Sequence, residues 1–392
     1  MNKTILKTGA QEFIKNNWST DIVSVLLKKQ LFQDITQKEL VEQLEAKKKC
    51  KHKLPTWFKT PKIYYPEKLH IEQTSSEQTA EYKADLISGK LLLDITGGFG
   101  VDDYFFSKKI DQVYHCELNQ KLSKIASYNF EVLGAKNIIL NNEDGLDFLN
   151  KTELSFDWIF IDPSRRNEVK GKVFLLQDCL PDVPSNLDKI FEKSKNILIK
   201  TAPLLDIKQG ISDLKFVKEI HIVAIKNEVK ELLWILEKGF RGSIQIKTRN
   251  LKTNSNEEFD FILEDEKATL SEIDLPQKFL YEPNSAILKS GGFKSIGKAF
   301  EIKKLHEHSH LYTSEKFIDF PGRRFKIENV LPYNKKELQK LNLTKANITT
   351  RNFPESVASI RKKLKLKEGG DHYLFFTTNS NNKRIIIKGQ KT

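Results

Sequence analysis

Residues 91–103, LLLDITGGFGVDD, decide the fold. Three leucines run into Asp94, and a glycine-rich turn then opens on a stretch with helical spacing. A short apolar run bounded in this way reads as a strand buried on both faces. Gly97, Gly98 and Gly100 permit a tight strand-to-helix turn and the close approach of a ligand to the backbone. Downstream the pattern recurs. QVYHCE (112–117), NIIL (137–140), DWIFID (157–162) and NILIKT (196–201) read as further buried strands. LSKIASYNFEVLG (122–134), GLDFLN (145–150) and PSNLDKIFEKS (184–194) supply helices between them. Such alternation implies an α/β domain whose parallel sheet is doubly wound, with helices on both faces. VKEIHIVAI (217–225) and ELLWILEKG (231–239) follow with no full helix between them, so a hairpin-like ending is expected, with an antiparallel strand at the sheet's edge.

On either side the pattern changes. Residues 1–85 show helical spacing at Ile22–Leu27 and Leu40–Leu44, with Asp34 or Thr36 placed to cap the second helix, and then a proline-bearing linker. After residue 240, GSIQIKTRN and FDFILED read as a hairpin, and FLYEPNSAILKSGGFKSIGKAF (279–300) as a helix interrupted at Gly291-Gly292. Strand, helix, strand and strand close the chain from Ala346 to Gly389, with Pro354 expected in the first turn of that helix. Expected boundaries are 1–85 for the helical domain and linker, 86–240 for the sheet domain, 241–275 for the hairpin, and 276–322 and 323–392 for two small α+β units.

Composition narrows the function classes. In 392 residues, three scattered cysteines exclude a disulfide framework and fit a reducing compartment. The first residues carry no apolar signal run, and no apolar stretch approaches a membrane span, so a cytoplasmic protein is expected. Net charge is +13, and from Pro321 to Thr392 seventeen Lys and Arg oppose five Asp and Glu. A proteome rich in lysine would spread its bias evenly; concentration in one segment points to a polyanionic partner, RNA above all.

The Asp94–Gly100 loop, with Thr96, is a ligand site whose charge selects among ligands. A dinucleotide fingerprint set in register from Gly98 meets Asp103 instead of its third glycine, and Asp102 and Asp103 oppose a pyrophosphate. Acids suit S-adenosylmethionine (SAM), which carries a cationic sulfonium. Glu117, twenty residues beyond Gly97, ends the second strand, where an acid can take both ribose hydroxyls. Asp144 follows the third strand and is placed for the adenine amino group. Each acid alone is a common loop residue or helix cap; three at successive strand ends make a site. Asp162, Arg165 and Arg166 in DPSRR follow the fourth strand and are the candidate reaction residues. The arginines can clamp a phosphate or carboxylate, or serve as structural caps. Cys116 and Cys179 read as buried residues rather than nucleophiles. His306, His308 and His310 alternate and could share a strand face, but nothing nearby completes a metal set.

The runs SSEQTAEYKADL, DITGGFGVDD, CELN, NNEDGLDFL and IDPSRR, with KLPTWF upstream and YEPNSAILKSG, HLYTS and DFPGRRF downstream, resemble a bacterial family of class I SAM-dependent methyltransferases. That family carries a small ferredoxin-like domain followed by a THUMP-like domain. The resemblance implies a mostly parallel seven-stranded methyltransferase sheet, SAM as cofactor and, by analogy with THUMP domains, an RNA substrate. Ser164 and Arg165 stand where adenine-amino methyltransferases carry a second proline and an aromatic, so that chemistry is not implied. Other readings of the same residues are a non-catalytic SAM-binding assembly factor on RNA, and a methyltransferase for a protein or small molecule.

Overall fold

The computed structural model describes residues 1–165, 175–253, 255–341 and 343–392. They divide into two compact units, Met1–Val217 with Leu233–Phe240, and Lys218–Leu232 with Arg241–Thr392.

The first unit begins with short helices. The longest, Gln37–Lys53, starts with a capping box in which Thr36 and Glu39 exchange bonds with each other's backbone. Thr36 is therefore the cap, and Asp34 sits in the turn before it with φ 64°. Helix Glu77–Asp85, capped by Ser76, leads into the sheet. There β1 (Gly89–Asp94), β2 (Ile110–Cys116), β3 (Ile138–Asn141), β4 (Phe156–Ile161) and β5 (Ser194–Thr201) follow the order of the apolar runs. β1 pairs in parallel with both β2 and β4, β2 with β3, and β4 with β5. Leu92, Leu93, Val113, Ile159, Phe160 and Ile197 are fully enclosed. Their burial on both faces is why these strands read as unbroken apolar runs rather than alternating ones.

β6 (Val217–Ile225) and β7 (Glu228–Glu237) are joined by Lys226-Asn227, both left-handed, as a two-residue hairpin turn requires. β8 (Gln245–Leu251) pairs in parallel with β6 and antiparallel with β9 (Glu257–Ile262). The strand order is β3-β2-β1-β4-β5-β7-β6-β8-β9. The first seven make the methyltransferase sheet, and the expected hairpin extends it by two strands.

A second sheet lies within the second unit. Its strands are β10 (Phe279–Pro283), β11 (Lys303–Lys304), β12 (Tyr312–Ser314), β13 (Gly322–Pro332), β14 (Asn347–Arg351), β15 (Tyr373–Thr378) and β16 (Arg384–Lys391). Their order is β11-β12-β10-β13-β16-β15-β14. Three expectations need correction. FLYEP is a strand, not the start of a helix: Leu280 and Tyr281 face opposite cores, which a helix surface could not supply. Helix Val357–Leu364 is capped by Ser356, so Pro354 lies before it. His306–His310 form a turn rather than one strand face, with His310 at φ 51° and stacked on Phe293.

Candidate cofactor and reaction site

β1 delivers Asp94 into the protein, 1% exposed. Its Oδ1 accepts the Thr96 N–H at 2.7 Å and the Thr96 hydroxyl at 3.0 Å, which folds the chain back into the glycine turn. Gly97 N–H donates to the Cys116 carbonyl at 2.8 Å, so the turn is pinned to the end of β2. A Cβ on Gly97 would meet the His115 ring at 2.2 Å. Gly98 has φ 58°, Gly100 has φ 78°, and a Cβ on Gly100 would meet Phe130 at 2.2 Å. These glycines are fixed by close approach and by left-handed backbone.

Glu117 follows β2 directly, beside the glycine turn. Oε2 accepts the Gly98 N–H at 2.9 Å and Oε1 the Asn119 N–H at 2.6 Å. One carboxylate thus holds the glycine turn and the start of helix Gln120–Leu133, and each oxygen keeps a further lone pair for a ligand. Asp144 is exposed; its Oδ1 caps helix Gly145–Lys151 through the Leu146 and Asp147 N–H groups. The Asn142 side chain donates to the Glu117 carbonyl at 2.8 Å and ties this loop to the end of β2. Gly145 packs so closely on Ile95 that a Cβ would lie 2.3 Å from the Ile95 carbonyl oxygen. The structure therefore brings Asp94, Thr96, the glycines, Glu117 and the Asp144 loop to one set of adjoining strand ends.

Next to the turn lies a buried polar layer that sequence reasoning missed. Asp103 Oδ2 and His115 Nδ1 are 2.8 Å apart, both fully buried. Lys83 Nζ lies 3.2 Å from Asp102 Oδ1, and Ser75 donates to Asp102 Oδ2 at 2.7 Å. Burial pushes the Asp94 and Asp103 carboxyls well above the usual range, and pushes the His115 imidazole down. Asp102 is paired with Lys83 and neither acid faces solvent, so their charge does not oppose a pyrophosphate as expected from sequence. Only the pairing of SSEQTAEYK with VDD as two adjoining motifs carried a signal for this layer.

Just after β4, Asp162 is partly exposed and forms an ion pair with Lys200 of β5, another residue not singled out from sequence. Its backbone N–H donates to the Thr96 hydroxyl at 2.7 Å. Ser164 and Arg165 pair with Leu180 and Cys179 in a short antiparallel ladder. Arg166 lies outside the described residues. Cys116 and Cys179 are both buried, and burial pushes the Cys116 thiol up, away from the thiolate a nucleophile needs. Among the described residues no helix is long and apolar enough to cross a membrane.

Comparison with known proteins agrees with this architecture. Residues 279–321 match a ferredoxin-like domain and residues 322–391 a THUMP domain-like family. The whole chain superposes on a candidate methyltransferase from Porphyromonas gingivalis W83 with a TM-score of 0.90, at 29% identity over 100% of this chain and 99% of that one. A protein-L-isoaspartate O-methyltransferase of Petrotoga mobilis is 34% identical over 77 residues, 20% of this chain. The chain spans only 36% of that relative's length. The protein thus joins a methyltransferase-fold domain to a ferredoxin-like domain and a THUMP-like domain.

Proposed function

We propose that this protein transfers a methyl group from SAM to a structured RNA, ribosomal or transfer RNA, in the cytoplasm. The observation that carries the reading is the Glu117 carboxylate held on the Gly98 N–H, at the mouth of a glycine turn in a methyltransferase fold. The donor set fits SAM. Glu117 would hold the ribose hydroxyls, the Asp144 loop the adenine, and the Thr96–Gly100 turn the amino-acid end. Bound there, SAM supplies an electrophilic methyl group.

The chain's own residues position the acceptor. Asp162, oriented by Lys200 and by the bond from its own backbone to Thr96, can accept a hydrogen bond or a proton from the acceptor. Arg165 and Arg166 would bind the acceptor's phosphates. Methyl transfer is an in-line displacement, so holding the acceptor at the right angle contributes more than strong acid-base help. The +12 balance of residues 321–392 and the match to a THUMP-like domain support RNA as the acceptor.

The test compares modified nucleosides in total RNA from a deletion strain and its parent by mass spectrometry. One methylated nucleoside should vanish and return on complementation. An unchanged profile alongside tight SAM binding would favour a protein or small-molecule acceptor, or an assembly factor that uses SAM as a structural ligand.

A further inference from the structure

Three residues at the start of the segment YEPNSAILKSG are tied into the structure. Tyr281 is enclosed in the core beside Tyr312 and Phe320. Asn284 caps helix Ser285–Ser290 and donates to Glu257. Glu282 is different: it is a charge placed inside the protein, its side chain 4% exposed. Its Oε2 is engaged by Arg323, the residue directly opposite it in the β10–β13 register. Its Oε1 accepts from Arg351 Nη2 at 2.8 Å, from the end of β14.

A buried carboxylate needs one cation to offset its desolvation. Here it has two, so the group carries a surplus positive charge, and the arginines are 36% and 35% exposed. Both are held in place. Arg323 Nη2 donates to the Thr349 hydroxyl at 3.1 Å, and its guanidinium lies over the Phe325 and Phe375 rings. Arg351 Nη1 donates to the Thr350 carbonyl at 3.1 Å. Arg323 Nη1 and Arg351 Nε have no partner among the described residues. Two fixed guanidinium groups with unused N–H donors suit a phosphate, because the ordering cost is met before the ligand arrives. Further polar side chains lie nearby. Asn352, next to Arg351, contacts His306 Nδ1 at 3.0 Å, and His306 Nε2 lies 3.0 Å from Asn382 Oδ1.

We infer that Arg323 and Arg351, anchored on Glu282, form a phosphate-binding site that grips the backbone of the RNA where the ferredoxin-like and THUMP-like domains meet. This rests on the RNA reading above and adds to it the point of contact. Readout there is of phosphate, not of sequence.

The test uses the full-length protein, with total transfer RNA as the labelled probe, in binding titrations across a potassium chloride series. SAM affinity is measured in parallel by calorimetry. Arg351→Gln should weaken RNA binding about tenfold and reduce the salt slope by about one, with SAM affinity unchanged. Arg351→Lys keeps the charge beside Glu282 and so guards against a folding defect. It should still lose several fold through the missing guanidinium fork, with the salt slope retained. Wild-type RNA affinity and slope in both folded variants would overturn the site while leaving the RNA reading standing. If the wild-type protein itself ignored RNA at low salt, both the reading and the site would fall.

Discussion

Thr96 and Asp162, 66 residues apart in sequence, are joined by a 2.7 Å hydrogen bond from the Asp162 N–H to the Thr96 hydroxyl. The same hydroxyl donates to Asp94 Oδ1 at 3.0 Å. A single oxygen therefore couples the glycine turn to the loop after β4. Thr96→Val keeps the shape but leaves the Asp162 N–H without its acceptor. It should cost about 1–2 kcal/mol of stability and lower both SAM affinity and turnover. Thr96→Ser should retain both. Denaturant titration with calorimetry on the two variants checks this; a valine variant with wild-type affinity and stability would uncouple the loops.

The Asp162–Lys200 pair makes a different prediction, because the proposed function puts it beside the acceptor. Asp162→Ala and Lys200→Met should each lower turnover by tenfold or more, with SAM affinity within a few fold. Steady-state rates on the true substrate, set beside calorimetric SAM affinity, separate the two effects. Equal losses in both would move this pair into the cofactor site.

For Glu117, substitution by alanine removes a carboxylate that holds the Gly98 and Asn119 N–H groups and that, in the proposed function, also takes the ribose hydroxyls. The expected loss is about 1.5–3 kcal/mol of SAM affinity. Glu117→Gln should recover part of it, because an amide oxygen can still accept from Gly98.

What could be read from sequence follows from locality. The apolar runs at Leu91, Val113, Ile159 and Ile197 announce their strands because burial on both faces leaves no alternation to misread. That Gly97, Gly98, Gly100, Glu117 and Asp144 come together was equally legible, since they lie at strand ends with fixed spacing. Groups that act through distant partners were not. Lys83 looks like an ordinary helix lysine until Asp102 is placed beside it, and Lys200 looks like the end of a strand until Asp162 arrives from β4. FLYEP failed for a related reason: Leu280 and Tyr281 face two separate cores, so the alternation that marks a half-buried strand is absent.

Glu219 gives a pH prediction. The hydrogen bond with His221, aided by Lys247, holds its carboxyl at about 2 against an ordinary value of 4.5. Between those values the unfolded chain binds more protons than the folded one, so stability rises with pH across that window. The contribution is fully present above about pH 4.5 and is lost as pH falls toward 2. Glu219→Gln should lower stability at pH 7 by about 1–2 kcal/mol and flatten that acid limb. Denaturant midpoints from pH 7 down to 3 read both effects; parallel curves for the two proteins would show that the pair contributes nothing.

The basic charge of the C-terminal segment is best tested by substitution rather than by deletion. Cutting before Arg323 would remove β13, which pairs with β10, and with it Phe325, Phe375, Ile385 and Ile387 from the core they share with Leu280, Leu305 and Leu311. Any loss of RNA binding would then report a broken sheet. Lys362, Lys365 and Lys367 are exposed at the end of helix Val357–Leu364 and just beyond it. Arg361 and Lys363 are less suitable, since they bond the Ala346 carbonyl and the Tyr333 hydroxyl. Reversing the three exposed lysines to glutamate should leave the melting temperature and SAM affinity near wild type. If each lysine meets one phosphate, the slope of log affinity against log salt should fall by about three, because each lost contact releases one fewer condensed counterion. Affinity for transfer RNA at 100 mM salt should drop by tenfold or more, about 1.4 kcal/mol. An unchanged slope would show that these lysines only solvate the surface, and would leave RNA recognition to the arginines on Glu282.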